Sequence, residues 1–161
     1  MSQPANTDHT HPVGGLNFNF NPLLEFEVKP THRVGVIGIG GLGHMALRFL
    51  RAWGCEVTAF SSHPGKESEA KLMGAHHFVN STDSAALAKL ASSFDFLLST
   101  VNVPVDWNTI LMALKPKGKL ILVGVVMEPI PVSMFTLLVG QRMISASPTG
   151  STAAMATMLD F

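Results

Sequence analysis

The sequence predicts an α/β domain built on a doubly wound, parallel, six-stranded sheet. From Arg33 onward, short apolar runs alternate with helical stretches, the pattern of strand–helix–strand units. The runs are rich in β-branched residues and nearly free of charge, as strands covered on both faces are. No internal repeat or heptad pattern competes with that reading.

Residues 1 to 21 are polar, rich in Asn, Pro, Gly and His, and show neither a helical nor a strand period, so this segment is expected to be disordered. Its His9 and His11 are not expected to form a metal site. Pro22 to Phe26 supplies one apolar turn packing on the domain proper, which is expected to run over residues 22–161. Val34 to Ile39 reads as the first strand. The helix after it places Leu42, Met45, Ala46, Phe49, Leu50 and Trp53 on one stripe, with His44, Arg48 and Arg51 opposite, and Gly54 closes it. Glu56 to Phe60 is the second strand, Lys66 to Met73 a short helix closed by Gly74, and His77 to Val79 the third strand. Helices are expected over Ser84–Ala91 and Val105–Leu114, and strands over Phe94–Ser99 and Lys119–Val123. A helical stretch around Phe135–Val139 leads to a sixth strand at Met143–Ala146. The apolar helix beginning at Ala154 stops soon after it starts, which suggests a domain cut at its C-terminal side.

Composition bounds the function. Eleven Lys and Arg balance eleven Asp and Glu, which removes the electrostatic footprint of a nucleic-acid or anionic-membrane binder. A single cysteine, Cys55, excludes an internal disulfide framework and a cysteine-cluster zinc site made by this chain alone; it reads as a core residue. The apolar stretch from Pro129 to Gly140 holds two prolines and is too short to span a bilayer. No Lys or Arg precedes Lys29 and no apolar run opens the chain, so a cytoplasmic protein is expected rather than a secreted one. Hydrophobic residues make up 47% of the chain and charged residues 14%, a bias that points to surface covered by a companion domain or a second subunit.

The chemistry is concentrated in Gly38-Ile39-Gly40-Gly41-Leu42-Gly43, a G-x-G-x-x-G turn that follows a buried strand and opens an amphipathic helix. In a Rossmann domain, Gly38 permits the tight turn and Gly40 lets the backbone approach a pyrophosphate. Gly43 lets the helix lie close to the strand, and the amides around Gly41 and Leu42 face the anion. An NAD site usually carries Asp or Glu at the end of the second strand to accept from the ribose 2′-hydroxyl. This chain has Ser61-Ser62-His63-Pro64-Gly65-Lys66 there, without a carboxylate. Hydroxyls and an ammonium suit a 2′-phosphate, so NADP(H) is expected over NAD(H), with Ser61, Ser62 and Lys66 as ligands and His63 as a further donor. The same residues also read as a plain turn and helix cap. Thr100, Val101 and Asn102 after the fourth strand, and Val123, Gly124 and Val125 after the fifth, stand where strand ends line a ligand crevice. Ordinary turns remain the alternative reading for Thr100 to Asn102.

Val34 to Gly43 followed by His44-Met45-Ala46 resembles the cofactor domain of zinc-dependent medium-chain alcohol dehydrogenases, nearest to the cinnamyl alcohol dehydrogenase-like, NADPH-dependent aldehyde reductase branch. Lys71–His76, Leu114–Lys119, Leu122–Gly124 and Ser61-Ser62 match that family's recurring segments, and the resemblance covers roughly Pro22 to Phe161. It implies hydride transfer between a primary alcohol or aldehyde and NADP(H), with zinc held only by a catalytic domain that this sequence does not contain. No residue matches a catalytic or metal-binding position, so the chain alone is expected to be inactive. By resemblance, Ser145 to Ser147 lie near the nicotinamide ribose, and Ile130 to Met134 form an edge strand that pairs with its twin in a homodimer. Two other classes share the glycine turn: a non-catalytic nucleotide-sensing domain and a methyltransferase-like domain. Both commonly keep an acidic residue after the second strand, which is missing here.

Overall fold

The computed structural model describes residues 13–161. Six strands, β1 (Arg33–Ile37), β2 (Glu56–Ser61), β3 (His77–Asn80), β4 (Phe94–Ser99), β5 (Leu114–Leu122) and β6 (Met143–Ala146), form one sheet in the order β3-β2-β1-β4-β5-β6. Every neighbouring pair is parallel. The helices are α1 (Val13–Glu25), α2 (Gly41–Trp53), α3 (Glu67–Leu72), α4 (Ser84–Ala88), α5 (Trp107–Met112), α6 (Met134–Gly140) and α7 (Thr152–Asp160). None of them is long and apolar enough to cross a membrane.

The sheet separates two apolar cores because side chains of each strand alternate between its faces. Val34 and Val36 of β1, Val57 and Ala59 of β2 and Leu98 of β4 meet Ala46, Leu47 and Leu50 of α2 on one face. Ile37, Phe60, Leu97 and Leu120 meet Trp107 and Leu111 of α5 on the other. Both cores consist of fully desolvated branched and aromatic side chains, so the uncharged runs in the sequence are the central strands.

Two expectations are corrected. The segment read as disordered up to residue 21 is helical from Val13, while His9 and His11 lie outside the described residues. Its helix buries Asn19, Phe20, Asn21 and Leu23. The polar members of that face are paired: Asn19 Nδ2 donates to the Leu42 carbonyl at 3.0 Å and Asn21 Nδ2 to Ser147 Oγ at 3.1 Å. Phe20 stacks against Phe49, Trp53 and Phe161 with ring centroids 5.5 to 5.8 Å apart. A helix whose buried face carries asparagines has no hydrophobic period to detect.

Among the described residues, Ile130 to Met134 pairs with no other strand of this chain. Pro129 and Pro131 lack the N–H a ladder needs, and Asn108 takes up the local backbone, donating to the Pro131 carbonyl at 3.1 Å and accepting from Ser133 N–H at 2.9 Å. Met134 already belongs to α6. The second correction is that β5 begins at Leu114 rather than Lys119, with a register shift between Phe94 and Phe96 and a left-handed Lys117 (φ 64°). Three helices are shorter than expected: α4 ends at Ala88, α5 spans Trp107–Met112, and a 3₁₀ turn at Pro64–Lys66 takes over the start of α3.

At the amino ends of the strands Asp95 joins three of them. Its carboxylate accepts from Arg33 N–H of β1 at 2.9 Å and from Lys115 Nζ of β5 at 2.9 Å. Burial pushes the carboxyl up, but the Lys115 and Arg33 bonds together outweigh it and hold it below its ordinary value. A depressed carboxyl stabilises the fold above its unfolded pKa and loses that contribution as pH falls through the folded value. Asp95→Ala should therefore cost about 2 kcal/mol at pH 7. The difference from wild type should shrink toward pH 3, as read by urea denaturation at the two pH values.

Candidate functional site

The crossovers from β1 and from β4 leave the sheet on opposite sides, so a crevice opens at the carboxyl ends of these adjacent strands. The glycine turn forms one bank. Gly38 adopts φ +88°, a conformation that side-chain-bearing residues rarely tolerate, and its N–H donates to the Phe60 carbonyl at 3.0 Å. A methyl group on Gly43 would overlap the Gly38 carbonyl oxygen, so glycine is what lets α2 rise directly off the strand. Thr100 Oγ1 donates to that same carbonyl at 2.7 Å and fixes the turn to the end of β4. By contrast, a Cβ on Gly40 or Gly41 would meet nothing within 4 Å. Gly40 caps α2 without a side-chain bond, which leaves the first-turn amides for an external acceptor. Open space at a helix N-terminus, held by glycines, fits a diphosphate.

Beside this bank lies a cavity of about 460 Å³. Ile37, Phe60, Leu97 and Val101 give it an apolar floor, and Ser61, Ser62, His63 and Lys66 form one rim. Val103, Pro104, Val105, Asp106, Thr109 and Ile110 supply the facing wall. Sequence reasoning missed that wall. Its trace is an apolar Val-x-Val-Pro-Val run in a loop position, where no core requires it. Asp106 does not confront the rim as a free base: it caps α5, accepting from Thr109 N–H and Oγ1, and those bonds hold its carboxyl below the ordinary value.

The rim residues divide by role. Ser61 is buried and accepts the His63 N–H at 3.2 Å, a turn function that leaves its own hydroxyl proton to donate. Ser62 and His63 are exposed and lie within 3.1 Å of each other through Oγ and Nδ1. Lys66 reaches across to the Ile39 carbonyl at 2.6 Å. No carboxylate lines this rim, and the acids that follow it are engaged elsewhere: Glu67 with Lys71, Glu69 with His44, and Asp83 at the start of α4.

Among the other expected residues, Thr100 spends its hydroxyl on the glycine turn, Asn102 is exposed, and Val123 packs into the α2-side core. A methyl on Gly124 would overlap the Val101 carbonyl oxygen, so its role here is close packing between strand ends. Val125 is exposed and Ser145 half-buried. Ser147 is buried toward α1, donating to Glu25 Oε2 at 3.2 Å and accepting from Asn21. Gly38, Gly40, Ser61, Ser62, His63, Lys66 and Val101 come together around the cavity; Gly41, Leu42 and Gly43 continue the bank into α2.

Among the described residues no three His, Cys, Asp or Glu side chains gather into a group able to hold a metal ion. Cys55 is buried with its Sγ donating to the Lys29 carbonyl, and burial pushes its thiol up to about 11, far from the thiolate a metal would need.

Sheet order, glycine turn and crevice together define a dinucleotide-binding domain of the Rossmann type. A family profile described as zinc-binding dehydrogenase matches residues 41–161. The aldehyde reductase AdhA of Synechocystis sp. is 53% identical over 148 residues, covering 92% of this chain and 44% of that protein. A structure of a cinnamyl alcohol dehydrogenase from Sorghum bicolor superposes with a TM-score of 0.87 at 34% identity, covering 92% of this chain and 42% of that one. The cinnamyl alcohol dehydrogenase of Helicobacter pylori, solved with NADP(H), gives 0.79 at 32% identity over 91% and 42%. The chain belongs to the zinc-binding dehydrogenase family and corresponds to the nucleotide-binding domain of its medium-chain, cinnamyl alcohol dehydrogenase-like members. It spans less than half the length of these relatives.

Two glycines of the turn should separate by experiment. Gly43→Ala should cost about 1–3 kcal/mol of stability by forcing α2 off the strand. Gly40→Ala should leave the thermal midpoint unchanged and still weaken dinucleotide binding about tenfold or more by filling the anion space. Calorimetric unfolding and cofactor titration of both variants read the two effects independently.

Proposed function

We propose that the chain binds NADP(H) in preference to NAD(H), as the cofactor half of an enzyme that moves hydride between a primary alcohol and its aldehyde. The observation that carries the preference is the rim at the end of β2. Ser62 and His63 are exposed beside the buried Ser61, Lys66 stems from the same turn, and no carboxylate lines that edge. A 2′-phosphate meets donors and positive charge on such a rim, whereas a ribose 2′-hydroxyl lacks the acidic partner that usually receives it. The Helicobacter pylori relative solved with NADP(H) supports the same choice.

In this reading the chain's residues bind and orient. The amides of the glycine turn hold the diphosphate, Val101 and the Val103–Val105 wall sandwich the adenine, and α2 contributes its N-terminal dipole. The nicotinamide, when bound, supplies the hydride chemistry. Groups that polarise the substrate carbonyl, zinc included, are assigned to a companion catalytic domain, and the chain alone turns over no alcohol. The cytoplasm is the proposed compartment.

A homodimer through the Ile130–Met134 face belongs to the same proposal. Met134, Phe135, Leu138 and Val139 stand exposed there together, more apolar surface than a lone helix of a monomer usually shows to water. A sedimentation mass of two chains at micromolar concentration is the expected result, and a monomer would remove this part.

Cofactor choice is tested by Ser62→Asp, which sets a carboxylate where the 2′-phosphate would lie. NADPH affinity should fall at least tenfold while NADH affinity holds or rises. Wild-type protein binding NADH more tightly than NADPH in fluorescence titrations would overturn the preference.

A further inference from the structure

We propose that the amino ends of β1, β4 and β5 carry a second binding site, for a small doubly charged oxyanion of the phosphate-monoester class. His32, Asp95, Lys117 and Lys119 line a cavity of about 220 Å³ there, with Phe26 and Phe96 as its apolar side. Three of the chain's eleven Lys and Arg fall in Lys115-Pro116-Lys117-Gly118-Lys119 at the start of β5. Lys29 adds a fourth cation from the segment before β1. The crevice lies at the opposite, carboxyl ends of the same strands, so the dinucleotide gives this cluster no role.

The polar groups of the cavity divide into spent and unspent. Asp95 is answered by Lys115 Nζ and by the Arg33 N–H, each at 2.9 Å, and Arg33 itself pairs with Glu56. Lys119 Nζ donates to the Phe26 carbonyl at 2.9 Å, which fixes one positive charge in the wall. His32 Nδ1 accepts the Lys29 N–H at 3.2 Å, so the proton of the neutral ring sits on Nε2. Among the described residues that Nε2, Lys29 Nζ and Lys117 Nζ have no hydrogen-bond partner. Lys117 is held at φ 64°, a conformation that costs any residue with a side chain. Gly118 beside it is fixed by packing, since a Cβ there would press on Leu114 and the Lys115 carbonyl. A cation thus occupies a left-handed position that glycine would fill more easily, next to a cavity with unspent donors. With Asp95 set against Lys115, and Glu27 exposed outside the lining, Lys29, Lys117 and Lys119 favour a dianion over a monoanion. Burial holds His32 below its ordinary value, Asp95 opposes that, and Lys29, Lys115 and Lys119 add to it. An anion in the cavity offsets the lysines and raises it.

Sulfate is the probe, because it stays doubly charged across the range in which histidine titrates. The histidine ring signals of the full chain are followed by NMR against pH, in millimolar sulfate and in chloride of equal ionic strength. The His32 midpoint should rise saturably with sulfate, by about half a unit or more. By linkage, sulfate affinity should fall as pH rises through that midpoint. Lys117→Gly, which relieves the left-handed residue, should keep or raise the thermal midpoint and lose most of the His32 shift. Lys117→Arg, which keeps the cation, should retain it. An equal shift at the exposed His77 would mean charge screening alone, and a shift at His63 without one at His32 would mean binding in the crevice alone. A full His32 shift in Lys117→Gly would take the lysine out of the site. Any of these three results overturns the proposal.

Discussion

The contact between the Gly38 carbonyl and the backbone of α2 at Gly43 is the constraint on which the rest of the molecule depends. Without a side chain at position 43 the helix starts directly against the end of β1, and Thr100 ties the same carbonyl to the end of β4. Two consecutive elements, β1 and α2, thus meet a third, β4, at one peptide oxygen, 62 residues from Thr100 in the chain. That junction is also the point where the crossovers diverge, so the packing that closes the fold and the geometry that opens the crevice have a common cause. Gly38 itself is forced to φ +88° by the same turn, with the Val101 side chain occupying the place where a Cβ would stand.

Around this junction the stabilising groups are distributed by chemistry. The two cores are almost wholly aliphatic and aromatic, while polar anchors sit at the sheet's ends: Asp95 at the amino ends, Thr100 and Ser61 at the carboxyl ends. A parallel sheet buried on both faces leaves no other place where a hydroxyl or carboxylate is readily partnered. Outside the sheet, α1 and α7 are fastened to α2 by the ring cluster of Phe20, Phe49, Trp53 and Phe161, each edge or tilted pair adding about 0.5–1.5 kcal/mol beyond its area. Asn19 then links α1 to the first turn of α2 through the Leu42 carbonyl, so a helix remote from the crevice helps fix the element that forms its bank.

What could be read from the residues follows the same division. Strands β1, β2 and β4 were legible because burial on both faces demands uncharged runs, and the glycine turn because each glycine answers a separate steric need. The helix Val13–Glu25 was not, since Asn19 and Asn21 occupy its buried face and break the apolar period. The wall from Val103 to Ile110 escaped notice because a loop lining a cavity has no periodicity, only an unexplained apolar content. Ser147 illustrates the reverse case: its position after the last strand is legible, but its side chain is drawn to Asn21 and Glu25, partners contributed by the helix the sequence concealed.

The exposed turn residues proposed to read the nucleotide's 2′ position are decoupled from those that build the fold. Ser62 and His63 are solvent-exposed on a turn whose shape is set by Ser61 and Pro64, so their identities can change without disturbing either core. Gly43 and Thr100 have no such freedom, because they bear on the junction itself. Lys66 lies between the two groups: it starts in the exposed turn and its ammonium donates to the Ile39 carbonyl in the glycine loop. A lysine so placed ties the turn after β2 to the glycine turn after β1. Changing that turn in length or direction would therefore move the ammonium away from Ile39 and break this tie. The turn can vary in side-chain chemistry far more readily than in backbone path.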